Sequence, residues 1–261
     1  MATTAVEADR PLLMLRLVPD LGALARWSAA TGQRALLGDA GYALHAALRA
    51  TLGELSPKPF ALLQRPGSIQ LIGYTHAPAD ELAQAMAQAS LTDPVAAAAL
   101  GLDKPEGNLV KPMPAHWREG DRLSFEVRVA PVVRSRSAQG GGYPEVDAAF
   151  HPDFAGEVLG DREAAHARWL ARELGRDGAA LLDSHRTVAF RLTLIARRTF
   201  AAGKGRTPRD THSGLLPDLT VRGQLRVANT AAFPALLARG LGRHRSFGFG
   251  CLLLAPPGAW T

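Results

Sequence analysis

The sequence has a single cysteine, only four lysines and no long apolar segment. Cys251 alone excludes an intramolecular disulfide and a cluster of thiolate metal ligands, and its apolar neighbours indicate a buried strand position. No run approaches the roughly 18 apolar residues of a membrane helix, and the N-terminus lacks a charged region followed by an apolar core and a cleavage site. We therefore expect a cytoplasmic protein that does not associate with membranes.

Motifs for metal binding and for familiar hydrolases are also missing. The eight histidines are scattered along the chain, and no two of them have the spacing of metal ligands. There is no Gly-x-Ser-x-Gly elbow and no paired-carboxylate motif. We therefore expect neither a metal ion nor a cofactor. With 261 residues and 47% hydrophobic content, the chain is long enough for one large domain or two small ones.

Charge is distributed unevenly, although the net charge is only +6. Residues 1–117 carry 9 cationic and 10 acidic side chains, whereas the rest of the chain carries 21 and 14. One stretch has no acidic residue and contains Arg186, Arg191, Arg197, Arg198, Lys204, Arg206 and Arg209. Arginine supplies 26 of the 30 cations, and its planar fork pairs with phosphate and stacks on bases. The pattern predicts a nucleic-acid partner; the alternative is an arginine-rich composition without functional meaning.

The hydrophobic pattern of the first half predicts the order strand, helix, strand, strand, helix, strand. The strands are predicted at 12–18, 60–63, 68–74 and near Leu109, and the helices at 40–52 and 79–89. Asp39 is the predicted N-cap of the first helix, and Gly53 ends it. Prolines between 91 and 118 predict a linker around the last strand.

The second half repeats the same order. Its strands are predicted at 122–129, 187–196, 219–227 and 249–255, and its helices at 161–174 and from a cap at Asn229 or Thr230 to about Arg239. Residues 134–142 form a predicted basic loop, and residues 201–217 a long polar one. Two such repeats predict an α+β protein with two tandem ferredoxin-like (RRM-like) domains, at residues 1–110 and 111–261.

The most specific motif is a glycine-rich turn near the C-terminus, from Gly240 to Gly250. Its glycines allow backbone N–H groups to approach an anion closely, while the crown carries positive charge. The residues with which we expect the turn to bind a phosphate backbone are Gly240, Gly242, Arg243, His244, Arg245 and Gly248. The alternative is an ordinary helix C-cap with loop glycines. A mononucleotide P-loop fits poorly, because here a helix precedes the glycines and a strand follows.

The first predicted helix places Tyr42, His45 and Arg49 on one arc of roughly 60°. A histidine with a pKa near neutrality can accept or donate a proton, and a tyrosine or arginine can position and neutralise a phosphorane. This grouping therefore suits metal-independent phosphate chemistry. The alternative is that His45 lies at the core boundary and Tyr42 packs against the sheet.

The turn reads Gly-hydrophobic-Gly, five residues with arginines, then Gly-hydrophobic-Gly, and it resembles the glycine-rich loop of the CRISPR repeat-processing ribonucleases of the RAMP superfamily. Its neighbourhood, from Phe233 to Leu253, is most similar to the CasE family. Residues 41–45 and the segments 127–134 and 145–147 resemble other parts of that family. The resemblance covers about a quarter of the chain and implies tandem ferredoxin-like halves.

By this resemblance, His45 is the general acid or base of an endoribonuclease, and Tyr42 is its partner. The implied reaction is attack of the upstream 2′-hydroxyl on the precursor RNA repeat, which leaves a 2′,3′-cyclic phosphate and a 5′-hydroxyl. The family often adds a lysine to the site, but no lysine of this chain has a matching position, so an arginine such as Arg49 is the candidate substitute. A divergent, minimal CRISPR system would fit this departure.

The expected partners are the CRISPR repeat hairpin RNA and other subunits of a CRISPR effector complex, with the product retained. Besides the basic stretch from Arg186 to Arg209, Arg134 and Arg136 are expected to contact hairpin phosphates. Two other functions stay open: a non-catalytic RNA-binding scaffold of the same superfamily, and a DNA-binding or ribosome-associated module.

Overall fold

Two four-stranded antiparallel sheets form the framework of the protein in the computed structural model. The structure describes residues 10–31, 40–135, 144–156, 161–200 and 208–260. For residues 105, 196–200 and 208–213 it describes the backbone alone. None of the described helices is long and apolar enough to cross a membrane.

The described residues of the first half form four strands and four α-helices. In chain order they are β1 (Leu13–Leu17), α1 (Leu21–Ala30), α2 (Gly41–Leu52), β2 (Phe60–Arg65), β3 (Ser68–Thr75), α3 (Ala79–Thr92), α4 (Pro94–Leu100) and β4 (Leu109–Pro112). The spatial order of the strands is β2-β3-β1-β4, with β1 antiparallel to both of its neighbours. This is the ferredoxin-like arrangement.

The alternating pattern of β1 explains how the first sheet is covered. Leu15 and Leu17 point to one face and are buried together with Leu44 and Leu48 of α2. Met14, on the opposite face, packs against the core of the second half. The first sheet is therefore covered by its own helices on one side and by the second half on the other.

The second half repeats the arrangement. Its elements are β5 (Arg122–Val129), β6 (Val132–Arg134), β7 (Glu145–Asp147), α5 (Arg162–Leu174), β8 (Ala180–Phe200), β9 (Pro208–Val227), α6 (Ala232–Arg239) and β10 (Leu253–Ala255). The main sheet has the order β10-β5-β9-β8, and β6 pairs with β7 separately. In both halves the first strand lies between the last and the third, so the predicted fold of two tandem ferredoxin-like domains is confirmed.

The strand β5 shows why the second sheet packs on one face. Phe125, Val127 and Val129 alternate along it and are buried with Trp169 and Leu170 of α5. The polar residues between them lie on the other face. That other face looks towards the first half and supplies much of the candidate site described below.

Two helices, α1 and α4, are not predicted by the sequence pattern. Asp20 caps α1 by accepting a hydrogen bond from the backbone N–H of Ala23 (2.9 Å). Asp93 caps α4 in the same way through Ala96 (2.9 Å). The predicted linker at 91–118 therefore contains a capped helix before its short strand.

The hairpin of β8 and β9 is longer than predicted. β9 begins at Pro208, so the prediction of a polar loop over 201–217 is wrong for its second part. Beyond Arg191 and Asp218 the two strands stay paired, from Leu192 opposite Pro217 to Phe200 opposite Pro208. β10 is shorter than the predicted strand at 249–255.

The caps of two predicted helices have different outcomes. The N-cap of α6 is Ala231, one position after the predicted Asn229 or Thr230, although Asn229 still accepts hydrogen bonds from the N–H groups of Ala231 (3.0 Å) and Ala232 (3.1 Å) just before the helix. Asp39, the predicted cap of α2, lies outside the described residues.

The two halves pack directly against each other. The Tyr74 hydroxyl of β3 donates a hydrogen bond to the carbonyl of Leu252 (2.8 Å), and burial raises the pKa of that phenol. Cys251 is fully buried beside Ile72, and burial raises the pKa of its thiol as well. The boundary at 110 stays a prediction; it falls within β4.

Candidate active site

The helix α2 presents Tyr42 and His45 at the edge of the first core. Leu44 and Leu48 are fully buried against the sheet, whereas Tyr42 and His45 are half-buried. The helix ends at Gly53, whose positive φ of 55° allows the chain to leave the helix sharply. The helical spacing that buries the leucines therefore also holds the tyrosine and the histidine side by side.

Phe247, in the glycine-rich turn of the second half, contacts both of these side chains. Its ring stacks on that of Tyr42, with centroids 5.8 Å apart and planes 8° apart. It meets the imidazole of His45 edge to face, with centroids 5.4 Å apart and planes at 73°. The structure thus brings the predicted catalytic helix and the glycine-rich turn into one site.

Burial and positive charge act on His45. Burial is the main cause that lowers its pKa, and the nearby charges of Arg49 and Lys58 lower it further. A neutral imidazole is therefore favoured at neutral pH, and a neutral imidazole can accept a proton from a hydroxyl group. Lys58 lies outside α2, and the sequence gives no sign that its charge acts on His45.

Arg49 is held at the C-terminal end of α2. Its guanidinium donates to the carbonyl of Gly53 (2.9 Å) and forms an ion pair with the exposed Glu54. The hydrogen bond that Arg49 donates to Glu54 raises the pKa of Arg49. Of the three predicted catalytic residues, Tyr42 and His45 thus both contact the ring of Phe247. Arg49 instead acts on His45 through its charge.

Close packing explains the glycines of the turn. The N–H of Leu241 donates to the carbonyl of Gly250 (2.9 Å). The N–H of Gly250 in turn donates to the carbonyl of Arg128 (2.7 Å). A Cβ atom on Gly250 would lie 2.2 Å from the carbonyl oxygen of Leu241, and one on Gly242 would lie 2.6 Å from the ring of Trp169. Both glycines also have positive φ. Gly240 and Gly248, at the two rims, have φ of 68° and 84°.

The cations at the crown of the turn contact other parts of the protein. Arg243 donates to one carboxylate oxygen of Glu145 (2.5 Å), and the His244 imidazole lies 2.9 Å from the other. His244 is only 7% exposed and has a positive φ of 62°. Arg245 donates to the carbonyl of Arg239. These contacts fix the turn on β7 and α6.

A second cationic cluster lies beside the turn and was not predicted. Glu173 of α5 accepts from the N–H of Gly242 (3.0 Å) and pairs with Arg176 (2.6 Å), and Arg239 is 4.0 Å away. Burial, followed by the charge of Arg176, lowers the pKa of Arg245. Because three arginines surround one carboxylate, this part of the surface is positively charged.

The predicted RNA-binding arginines are described only in part. Arg134 and Arg186 are exposed, and Arg186 donates to the carbonyl of Trp260 (3.4 Å). The Arg191 side chain is 58% exposed and donates to Asp218 (2.6 Å). Arg136, Lys204 and Arg206 lie outside the described residues, as do the side chains of Arg197, Arg198 and Arg209.

Asp218 organises the open face of the second sheet. It accepts two hydrogen bonds from Arg128 (2.8 and 2.9 Å), and further ones from Arg191 and from Thr193 (2.7 Å). Burial alone would raise the pKa of Asp218, but the bonds and charge of Arg128, with the bonds from Thr193 and Arg191, lower it overall. Arg128 also covers the ring of Phe249 at 4.2 Å. This network connects the sheet to the glycine-rich turn.

The arrangement can perform acid–base chemistry on an anionic substrate. One neutral imidazole, one phenol and several arginines surround the turn. Within the described part of the chain, no three His, Cys, Asp or Glu side chains come together as a metal site.

The fold is similar to that of several solved structures. One, described as CRISPR endoribonuclease Cse3 bound to 19 nt RNA, is 19% identical with a TM-score of 0.59, and the match covers 94% of this chain and 100% of that one. Another is Cse3 of Thermus thermophilus bound to an RNA representing a pre-cleavage complex, at 19% identity and a TM-score of 0.56, with the same coverage of both chains. A chain of a CRISPR RNA-guided surveillance complex matches at 16% identity and a TM-score of 0.50, over 94% of this chain and 99% of that one.

Sequence comparison gives a family match over almost the whole chain. The family model described as CRISPR associated protein matches residues 14–256. No curated protein matches the sequence.

Proposed function

The chain belongs to the family of CRISPR-associated proteins, and on that premise we propose that it is a metal-independent endoribonuclease that cleaves CRISPR precursor RNA at the repeat hairpin. The observation that carries the proposal is the contact of Phe247 with both Tyr42 and His45. Through it, an acid–base pair on the first half meets a basic, glycine-rich turn of the second half. The similar Cse3 structures, which contain RNA, support the same activity.

The proposed reaction needs only proton transfer and charge stabilisation. The 2′-hydroxyl of the upstream nucleotide attacks the phosphorus, and the bond to the downstream 5′-oxygen breaks. His45 takes the 2′-proton or supplies a proton to the leaving oxygen, and Tyr42 positions the phosphate through its hydroxyl. The products are a 2′,3′-cyclic phosphate and a 5′-hydroxyl.

Positive charge near His45 takes the place of the family's lysine. The charges of Arg49 and Lys58 act on His45 and would also stabilise the extra negative charge of the phosphorane. Arg49 stays protonated, so its role is electrostatic and does not include proton transfer.

Arginines on the second half bind the hairpin in this proposal. Exposed Arg134 and Arg191 can pair with phosphates of an A-form stem, whose shape is recognised through its backbone. The cluster beside the turn, with Arg176 and Arg245, extends this basic surface. The bound product then joins other subunits of a CRISPR effector complex.

A non-catalytic RNA-binding scaffold is the second candidate. The ion pair of Arg49 with Glu54 favours it, because Arg49 is one of the three predicted catalytic residues and its guanidinium is already paired with a carboxylate. The scaffold would keep the basic surface and the glycine-rich turn but would leave RNA intact.

Analysis of the product ends separates the two candidates. End-labelled repeat RNA is incubated with wild type, Tyr42→Phe and His45→Ala, and the fragments are treated with a phosphatase that cannot remove a cyclic phosphate. We expect one cut, a resistant 2′,3′-cyclic end, and a loss of cleavage in His45→Ala without a loss of binding. Tight binding of uncut RNA by the wild type would support the scaffold instead.

A further inference from the structure

Three cavities lie along the open face of the second sheet and its contact with the first half. The first, of about 470 Å³, is lined by residues of β2 and by the arginine-rich centre of the second sheet. The second, of about 820 Å³, lies between the first sheet and the C-terminal segment. The third, of about 320 Å³, lies over β8 and β9 beside Trp260. None of them is used by the acid–base pair of α2.

Shared lining residues join these cavities into one cleft. Leu63 and Arg65 line both the first and the second cavity, and Arg222 lines the first and the third. Trp260 lines the second and the third. The first cavity is also lined by Ala40, the residue before α2 and two positions before Tyr42. The cleft therefore begins beside the candidate active site and ends at Trp260.

The cleft is positively charged. The cations that line it are Arg65, Lys111, Arg128, Arg186, Arg191 and Arg222. Its two acidic residues, Glu126 and Asp218, are both engaged by arginines of the same cleft. Neither the second nor the third cavity has an acidic residue among its described lining residues. An elongated anion complements the charge of this surface.

The far end of the cleft has the chemistry of a nucleotide site. Trp260 lines both an apolar cavity, to which Met14 and Ile72 also belong, and a polar one that contains Arg186 and Arg222. Trp117 also lines the apolar cavity, and its indole Nε1 is buried without a hydrogen-bond acceptor among the described residues. A nucleobase offers a flat face for stacking and a carbonyl as an acceptor, and its phosphate would reach the polar side.

We propose that this cleft binds an unpaired RNA segment that adjoins the cleaved phosphodiester, with a base against Trp260 and phosphates on Arg186 and Arg222. The inference rests on the proposed function, because the cleft is assigned to RNA from its start beside Tyr42. A paired stem hides the faces of its bases, so aromatic walls favour single-stranded RNA over the hairpin itself. The cleft would add affinity for flanked repeats without touching the reacting atoms.

The test compares three RNAs that carry a 2′-deoxy nucleotide at the cleavage position, which prevents attack. One is the hairpin alone, and the others add about ten unpaired nucleotides on the 5′ or the 3′ side, a length typical of single-strand sites. Binding is measured for wild type, Trp260→Ala, Trp260→Phe and Arg26→Ala. Arg26 is an exposed arginine of α1, on the helix-covered side of the first sheet, and serves as the charge control.

We expect one extension to tighten wild-type binding by about tenfold, the scale of one stacked base. Trp260→Ala removes this gain but binds the hairpin alone like the wild type, while Trp260→Phe keeps part of the gain and Arg26→Ala keeps all of it. Equal affinities of the wild type for all three RNAs would overturn the proposal. An equal loss for hairpin and extended RNA in Trp260→Ala would do the same.

Cleavage of the all-ribose hairpin by the same proteins is scored separately. If Trp260→Ala cleaves the hairpin normally but the extensions have no effect on binding, only the cleft assignment fails. If the wild type does not cleave but the extension gain depends on Trp260, the nuclease fails and the cleft stands.

Discussion

Tyr42 of the first half and Phe247 of the second half stack almost in parallel, with ring planes 8° apart. The contact joins the helix that carries His45 to the glycine-rich turn near the C-terminus. Because each half contributes one ring, the candidate site exists only when the two ferredoxin-like domains are packed together.

Removing the Phe247 ring is expected to slow cleavage more than it weakens binding. Phe247→Ala deletes the contacts that hold Tyr42 and His45, and a displacement of about 1 Å at a reacting group costs on the order of 100-fold in rate. Single-turnover cleavage and RNA affinity are measured in parallel. Phe150→Ala, at an exposed ring of the second half, is the matched control and keeps the wild-type rate. An unchanged rate in Phe247→Ala would show that the ring contacts do not position the pair.

The pH dependence of cleavage is expected to follow the lowered pKa of His45. Burial, with the charges of Arg49 and Lys58, makes protonation harder than in a free histidine with a pKa of 6.5. If His45 is the base, the rate falls as the pH drops through a value below 6.5; if it is the acid, the rate falls as the pH rises through that value.

Lys58→Gln is expected to move the part of the pH–rate profile that reports His45 to higher pH, whether His45 acts as the base or as the acid. The substitution removes one charge that opposes protonation of His45. Lys104→Gln, at an exposed lysine whose charge acts on Asp20, is the control and leaves the profile in place. A limb that stays fixed in Lys58→Gln, or moves to lower pH, would exclude His45 as the titrating group.

The turn glycines are expected to be required for folding as well as for the site. Gly250→Ala places a Cβ atom 2.2 Å from the carbonyl oxygen of Leu241 at a positive φ, which costs about 3 kcal/mol of unfolding free energy. Gly67→Ala has a similar φ but open space around it, so about 1 kcal/mol is expected. Denaturant unfolding measures both. Equal losses would show that backbone conformation alone, without the close packing, requires Gly250.

Asp218 is expected to stabilise the protein above its lowered pKa. Asp218→Asn leaves Arg128 without its buried carboxylate partner and costs about 3 kcal/mol at neutral pH. Because the folded-state pKa is below the ordinary 3.8, this contribution is present above pH 3.8 and is lost as the pH falls further. Asp183→Asn, at the half-exposed pair with Arg226, is expected to cost less than about 1 kcal/mol. Similar losses in the two variants would contradict the role of the buried network.

Local patterns predict the regular elements well. The alternation of apolar and polar residues places β5 at its observed bounds, and Gly53 marks the end of α2. The helix α4 escapes prediction because its alanines have no amphipathic period, although Asp93 and Pro94 form a good N-terminus. The first residues of β9 escape it because the sequence from Pro208 to Gly214 is mostly polar and lacks the apolar alternation of a half-buried strand.

The candidate site is predictable in its parts but not in its assembly. Helical spacing groups Tyr42 with His45, and the glycine pattern singles out the turn. Nothing in the spacing indicates that Phe247 contacts both Tyr42 and His45, because that depends on how the halves pack. The spacing also gives no sign that the charge of Lys58 reaches His45, because that depends on the tertiary folding of the first half. Glu145, which holds Arg243 and His244, lies about a hundred residues before the turn, and only the tertiary folding of the second half brings it there.

The most direct test of the central claim is cleavage of labelled repeat RNA in excess EDTA by wild type and His45→Ala under single-turnover conditions. We expect the wild type to cut at one position at the same rate with and without chelator, and His45→Ala to bind the RNA without cutting it. Cleavage that disappears in EDTA, or that persists in His45→Ala, would contradict a metal-independent reaction that depends on His45.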